Sequence, residues 1–229
     1  MISINVKIYL FCSPLKEPLM SLRRLPVYLL LDCSSSMRGQ PIEQVKQGLR
    51  ALLDDLSSEP MAIETVYLSV ITFHNTAQQV IPLMELMEFK APQIQASGAT
   101  ALGAALRLLM DCLEKEVRKN TEEQKGDWKP LVFLMTDGMS TDAWENAADE
   151  LKKQNIANLI AFAAGSNALV ANLKRMTDTV LKSEELSPGA LKAFFQWMSQ
   201  SILRTGRSVQ VSEMPVDLPP PPPQIQIVP

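Results

Sequence analysis

Two apolar runs that each end in aspartate constrain this chain most. PVYLLLD (26–32) and PLVFLMTD (130–137) are nearly continuous in apolar residues. That is the pattern of strands buried on both faces of a parallel sheet, not of strands with one wet face. Parallel strands need long crossover connections, usually helices, and the sequence supplies them. Ile42, Val45, Leu49, Leu52, Leu53 and Leu56 recur at steps of three and four behind Pro41, one face of an amphipathic helix. TVYLSVITF (65–73) reads as a second strand and QQVIP (78–82) as a short antiparallel edge strand. Leu102, Ala105, Leu106, Leu109 and Leu113 mark another helix. Asp142 with Glu145 has the spacing of an N-cap and its capping-box partner, and predicts a helix to about Gln154. IANLIAFAAG and TDTVLK read as strands. Ser187 and Pro188 open a last helix with Leu191, Phe194, Phe195, Met198 and Ile202 on one face, which Gly206 can end. The fold class expected is α/β: a doubly wound, mostly parallel sheet with one short antiparallel edge strand and helices on both faces.

Composition limits function. Lys plus Arg number 22 and Asp plus Glu 25, a net charge of −3, which excludes a strongly cationic nucleic-acid binder. Three widely spaced cysteines (Cys12, Cys33 and Cys112) contain no CxxC, so neither a disulfide framework nor a zinc site is expected. The single histidine, His74, rules out a histidine-rich metal site and reads as a turn residue. No apolar run approaches the length of a membrane span and the start lacks signal-peptide features, so the expected location is cytoplasmic. Residues 1–19 read as an N-terminal extension: an added strand, with Ile4, Val6, Ile8 and Leu10 alternating, or a start assigned too early. Residues 20–206 form the main domain. Residues 207–229 form a proline-rich tail whose five consecutive prolines favour a stiff polyproline II spacer. The charged run 114–129 is expected to carry its helix into a solvated loop.

In open parallel sheets, ligands bind at the carboxyl ends of strands, where strand order reverses. Asp32 and Asp137 sit at such ends. Asp32, Ser34 and Ser36 follow at i, i+2 and i+4, a spacing that turns three oxygens of a loop toward one point. SGAT (97–100) places Thr100 just before a helix, and Gly138 permits a tight turn after Asp137. This order of Asp32-Cys33-Ser34-Ser35-Ser36, then Thr100, then Asp137 resembles the von Willebrand factor A domain over about residues 25–205. The resemblance implies a metal-ion-dependent adhesion site built from Asp32, Ser34, Ser36, Thr100 and Asp137. It also implies a binding role without catalysis, in which a protein partner supplies a carboxylate to the metal. The segments LPVYLLLDCSSSMRGQPIE, SGATALGAAL and TDGMSTDAW, with the polyproline ending, look like the TerY-like proteins of tellurium-resistance clusters. That likeness implies a cytoplasmic adaptor in tellurite and stress resistance, with a protein kinase and a PP2C-like phosphatase as partners. Ser140 stands where many such relatives carry proline.

The residues support a hard cation in their own right. All candidate ligands are oxygens, two of them from carboxylates and three from hydroxyls, which suits Mg²⁺, with Mn²⁺ also fitting. A metal-dependent phosphoester hydrolase and a structural domain without metal are the alternatives. Against an enzyme, no DxD follows the first strand, where Ser34 replaces the second carboxylate, and no GxGxxG, GxxxxGK[ST] or GxSxG pattern occurs there or elsewhere. Arg38 just after the loop either docks an acidic partner or is a solvated arginine. Cys33 inside it is either oxidisable or a small apolar filler.

Overall fold

The computed structural model describes residues 22–164, 170–211 and 218–228; the alternating pattern at residues 4–10 lies outside them. Its centre is the first apolar run, now strand β1 (Leu25–Asp32), with every residue buried. β1 lies between two parallel neighbours, β2 (Val66–Phe73) and β4 (Leu131–Thr136). β5 (Asn158–Ala164) and β6 (Thr179–Ser183) continue the parallel order beyond β4. β3 (Ala77–Glu85) pairs antiparallel with β2 at one edge. With a seventh strand, β7 (Gln226–Val228), the full order is β3-β2-β1-β4-β5-β6-β7.

The seventh strand, β7 (Gln226–Val228), is a departure. It comes from the proline-rich tail and pairs antiparallel with β6, so the sheet has antiparallel strands at both edges, not one. The end of the proline-rich segment thus packs on the domain. The last helix, α6 (Pro188–Val211), also runs past Gly206. A glycine inside a helix costs only about 1 kcal/mol, and a side chain there would merely touch Leu25, so the packed helix continues. Ser187 caps α6 as expected, accepting from the Ala190 N–H at 3.2 Å.

Alternation sorts the buried strands between two cores. Val27, Leu29, Leu31, Phe133, Met135 and Phe162 face one side. There they meet α1 (Gln40–Ser57) and α6. Phe162 stacks on Phe194 at 4.3 Å, and Phe133 meets Trp197 edge-on at 6.4 Å. Tyr28, Leu30, Val132 and Leu134 face the other side, against α3 (Leu102–Glu116) and α4 (Glu145–Gln154). Gly48 lets α1 and α6 close, because a Cβ there would lie 2.1 Å from the Phe195 ring. Two short helices, α2 (Pro60–Thr65) and α5 (Val170–Met176), add to the helices read from the sequence.

The charged run 114–129 is only partly solvated. α3 ends at Glu116, whose carboxylate accepts from Tyr28 Oη at 2.8 Å. Asp127 is nearly buried and takes a two-pronged hydrogen bond from Arg24, while Arg23 lies 3.6 Å over the Trp128 ring. The end of the run is thus pinned beneath the start of β1. Among the described residues no helix is long and apolar enough to cross a membrane.

Candidate metal centre

Strand order reverses between β1 and β4: one half of the sheet grows outward from each. The crevice beyond their carboxyl ends is where a doubly wound sheet places its ligand. Asp32 ends β1, Thr136 ends β4 and Asp137 follows it directly, with Leu31 opposite Met135 just before them.

The DCSSS loop is held in place by neighbours. Cys33 N–H donates to Phe73 O at 2.8 Å, Ser35 N–H to Gly98 O at 3.0 Å, and Ser97 N–H to Cys33 O at 2.7 Å. Residues 35–37 then form one turn of 3₁₀ helix. These bonds tie the SGAT loop against the DCSSS loop. Gly98 has φ +73 and a Cβ there would lie 2.4 Å from Asn75 Oδ1, so this position requires glycine. Asn75 in turn accepts from Ala99 N–H at 2.8 Å. Thr100 follows, 6% exposed, and a Cβ added at Gly138 would lie 3.8 Å from its hydroxyl. Gly138 has no positive φ and room for a Cβ, so the turn after Asp137 does not depend on glycine as expected.

The structure gathers the five sequence-selected side chains at this one end of the sheet. Asp32 is fully buried and accepts from Ser34 N–H at 2.8 Å and from Thr136 Oγ1 at 2.7 Å. Ser34 Oγ lies 2.9 Å from Ser36 Oγ, and Ser36 Oγ donates to Asp137 Oδ1 at 2.7 Å. Thr100 lies beside the backbone that follows Asp137, where a Cβ added at Gly138 would come within 3.8 Å of its hydroxyl. Among the described residues, neither Asp32 nor Asp137 has a salt-bridge partner. Burial raises both carboxyl pKa values. For Asp32 the hydrogen bonds from Ser34 and Thr136 oppose that rise, and for Asp137 the one from Ser36 does.

A small hard dication suits this donor set. Neighbouring ligands on an octahedral ion with bonds of about 2.0–2.1 Å are about 2.8–3.0 Å apart. The Ser34–Ser36 and Ser36–Asp137 separations of 2.9 and 2.7 Å are close to that edge length. Two desolvated carboxylates without a basic neighbour also call for positive charge.

With carboxyl pKa values raised by folding, the cation-free fold gains from protonation at low pH. That contribution is complete below the ordinary carboxylate range and is lost as pH rises through the raised values. A dication held by these carboxylates would bind their ionised form, so it should raise the melting temperature more at about pH 7.5 than at about pH 4.5. Thermal melts with and without magnesium at both values measure this; an equal rise at both would contradict it.

Sequence reading missed several supports. Thr136 fixes the second oxygen of Asp32, and its signal was a lone hydroxyl at the end of an apolar strand. Thr141 N–H donates to Thr100 O at 2.8 Å. Asp142 does not cap α4, whose N-cap is Trp144. It accepts instead from Gly103 and Ala104 N–H of α3 at 2.8 and 2.9 Å. Ser140 supports that cap by donating to Asp142 Oδ1 at 2.7 Å. His74 is a turn residue as expected, its Nδ1 accepting from Asn75 N–H at 2.6 Å. Cys33 is buried, which pushes its thiol up to about 12, the behaviour of an apolar filler.

Residues 27–187 match the von Willebrand factor type A domain family. An uncharacterized protein of Synechocystis sp. is 34% identical over 123 residues, covering 51% of this chain and 26% of that protein. Among solved structures, von Willebrand factor type A from Catenulispora acidiphila superposes with a TM-score of 0.62 at 15% identity, covering 80% of this chain and 43% of that one. Proximal thread matrix protein 1 from the mussel byssus, with a zinc-occupied MIDAS motif, gives 0.57 at 17% identity, covering 79% and 48%. The chain spans less than half the length of each of these three proteins. At such identities the structural likeness speaks for the fold.

Proposed function

The chain belongs to the von Willebrand factor type A family, and from that premise we propose that it is a metal-dependent protein-interaction module. In this reading Asp32, Ser34, Ser36, Thr100 and Asp137 hold Mg²⁺, with Mn²⁺ also accepted, and the ion takes a carboxylate from a partner protein. The observation that carries it is the chain of contacts Ser34–Ser36–Asp137 at 2.9 and 2.7 Å, beside the buried Asp32 carboxylate, which no basic side chain among the described residues pairs with. The two carboxylates balance the ion's charge. The three hydroxyls are neutral, weaker donors, which leaves the ion attractive to one more anionic ligand. Thr136 and the Ser34 amide orient Asp32 and stop it from turning away.

The reading assigns capture, not turnover. Among the described residues no imidazole is free to act as a general base at the site: the ring nitrogen Nδ1 of His74 is engaged by its own turn. The likeness to TerY-like proteins supports a finer proposal: a cytoplasmic adaptor in tellurite and stress resistance, with a protein kinase and a PP2C-like phosphatase as partners. Immobilised chain incubated with cell extract in magnesium should retain a protein that EDTA releases, and the candidate kinase and phosphatase can then be tested singly. Retention indifferent to EDTA would refute metal-dependent capture.

A further inference from the structure

Among the described residues, six large apolar side chains are exposed: Leu22, Met61, Met87, Met139, Ile156 and Ile227. Leu22 precedes β1, Met61 lies in α2 just before β2, and Ile156 precedes β5, all at the amino end of the parallel strands. Met87 follows β3, whose antiparallel course returns it to that end. Ile227 lies on the edge strand β7. Met139 alone stands at the end that carries the candidate metal site. It is 60% exposed and two residues beyond Asp137.

A scattered exposed methionine needs no explanation; one held out by a tethered loop beside a ligand site does. Ser140 Oγ is bound to Asp142, and Thr141 N–H to Thr100 O, so this loop is anchored immediately after Met139. On the other loop, Arg38 is exposed two residues beyond Ser36. Its Nε donates to Ala96 O at 3.3 Å, and among the described residues it forms no salt bridge. Ser36 and Asp137 touch at 2.7 Å, so Met139 and Arg38 each stand two residues along the chain from one contact. Two residues of chain reach at most about 7 Å.

We propose that this face selects an acidic protein segment in which the captured carboxylate is adjacent to an apolar side chain. Met139 packs on that side chain, and Arg38 attracts a second acidic residue. The proposal rests on the capture reading above and names its partner's chemistry. A thioether suits this role because it adapts to differently shaped apolar groups, and an exposed guanidinium adds long-range attraction that salt screens.

The test is an array of short peptides, each with one aspartate or glutamate and varied neighbours, made with and without a second acidic residue, probed with the full chain in magnesium and in EDTA. Wild type should bind peptides with a leucine, methionine or phenylalanine neighbour about fivefold better than those with serine. Met139→Ser should erase that preference while melting at the same temperature. Arg38→Gln should weaken binding to peptides with a second acidic residue and flatten its salt dependence. A preference that persists in Met139→Ser, an absence of neighbour preference in wild type, or no binding to any peptide overturns the proposal. If calorimetry of the same protein also shows no magnesium binding, the capture reading falls with it; magnesium-dependent binding without neighbour preference leaves that reading standing.

Discussion

Asp32→Ala should lower magnesium affinity by about 100-fold or more and abolish EDTA-sensitive partner capture, while the chain still melts cooperatively. The substitution removes one of only two carboxylates in the donor set, and with it half of the charge that balances the ion. It also frees Ser34 N–H and Thr136 Oγ1, which Asp32 now engages at 2.8 and 2.7 Å. Each lost hydrogen bond costs about 0.5–1.5 kcal/mol. Against that, removing a fully buried carboxylate with no cation partner relieves a desolvation penalty of similar or greater size. The metal-free melting temperature should therefore move little, while the rise caused by magnesium disappears. Asp32→Asn separates charge from shape: its one oxygen can still accept from Ser34 N–H, while its NH2 can donate to the Thr136 hydroxyl, but it should still lose the ion. Isothermal titration decides, and equal heats for wild type and either variant would sink the assignment. Collapse of the metal-free fold in Asp32→Ala would instead mark the carboxylate as a structural group.

The parts legible in sequence were those governed by local periodicity. The buried runs of β1 and β4 read as parallel strands because alternate residues must serve two cores, and the aspartates at their ends marked the crevice. Ser34, Ser36 and Thr100 could be placed because their loops leave or enter regular elements at fixed points. What stayed hidden depends on pairs distant in sequence. Asp142 has the spacing of a cap for the helix that follows it, but the unpaired N–H groups nearest to it belong to α3, some 40 residues earlier. Asp127 looked like one more charge in a wet loop because its partner, Arg24, is 103 residues away. α2 and α5 are six and seven residues long, too short for a helical stripe to show. The QIQIVP segment has period-two alternation, but the prolines ahead of it masked a strand whose partner is β6.

Ile225→Ala should destabilise the chain by about 3 kcal/mol, lowering the melting temperature by roughly 6–12 °C for a protein of this size. A passive spacer would show nothing of the kind, since surface substitutions stay within about 0.5 kcal/mol. Ile225 is 3% exposed and belongs to the same core as Phe194 and Trp197. Its backbone N–H donates to Pro222 O at 2.9 Å, closing the turn that leads into β7. Upstream, Trp197 Nε1 donates to Pro219 O at 2.9 Å in a buried contact. That bond gives the indole its one required acceptor. Downstream, Gln226, Ile227 and Val228 pair with Lys182, Leu181 and Val180, so the tail closes an edge that would otherwise expose β6. The prolines assist, because residues already restricted in φ lose less entropy when the segment docks. Magnesium affinity should be unaffected, as β6 is separated from β1 by β4 and β5. Thermal melts of Ile225→Ala, with magnesium titration of the same sample, measure both. A shift of about 1 °C or less would show that the tail lies outside the cooperative unit, and a large loss of magnesium affinity would show that the tail reaches the site.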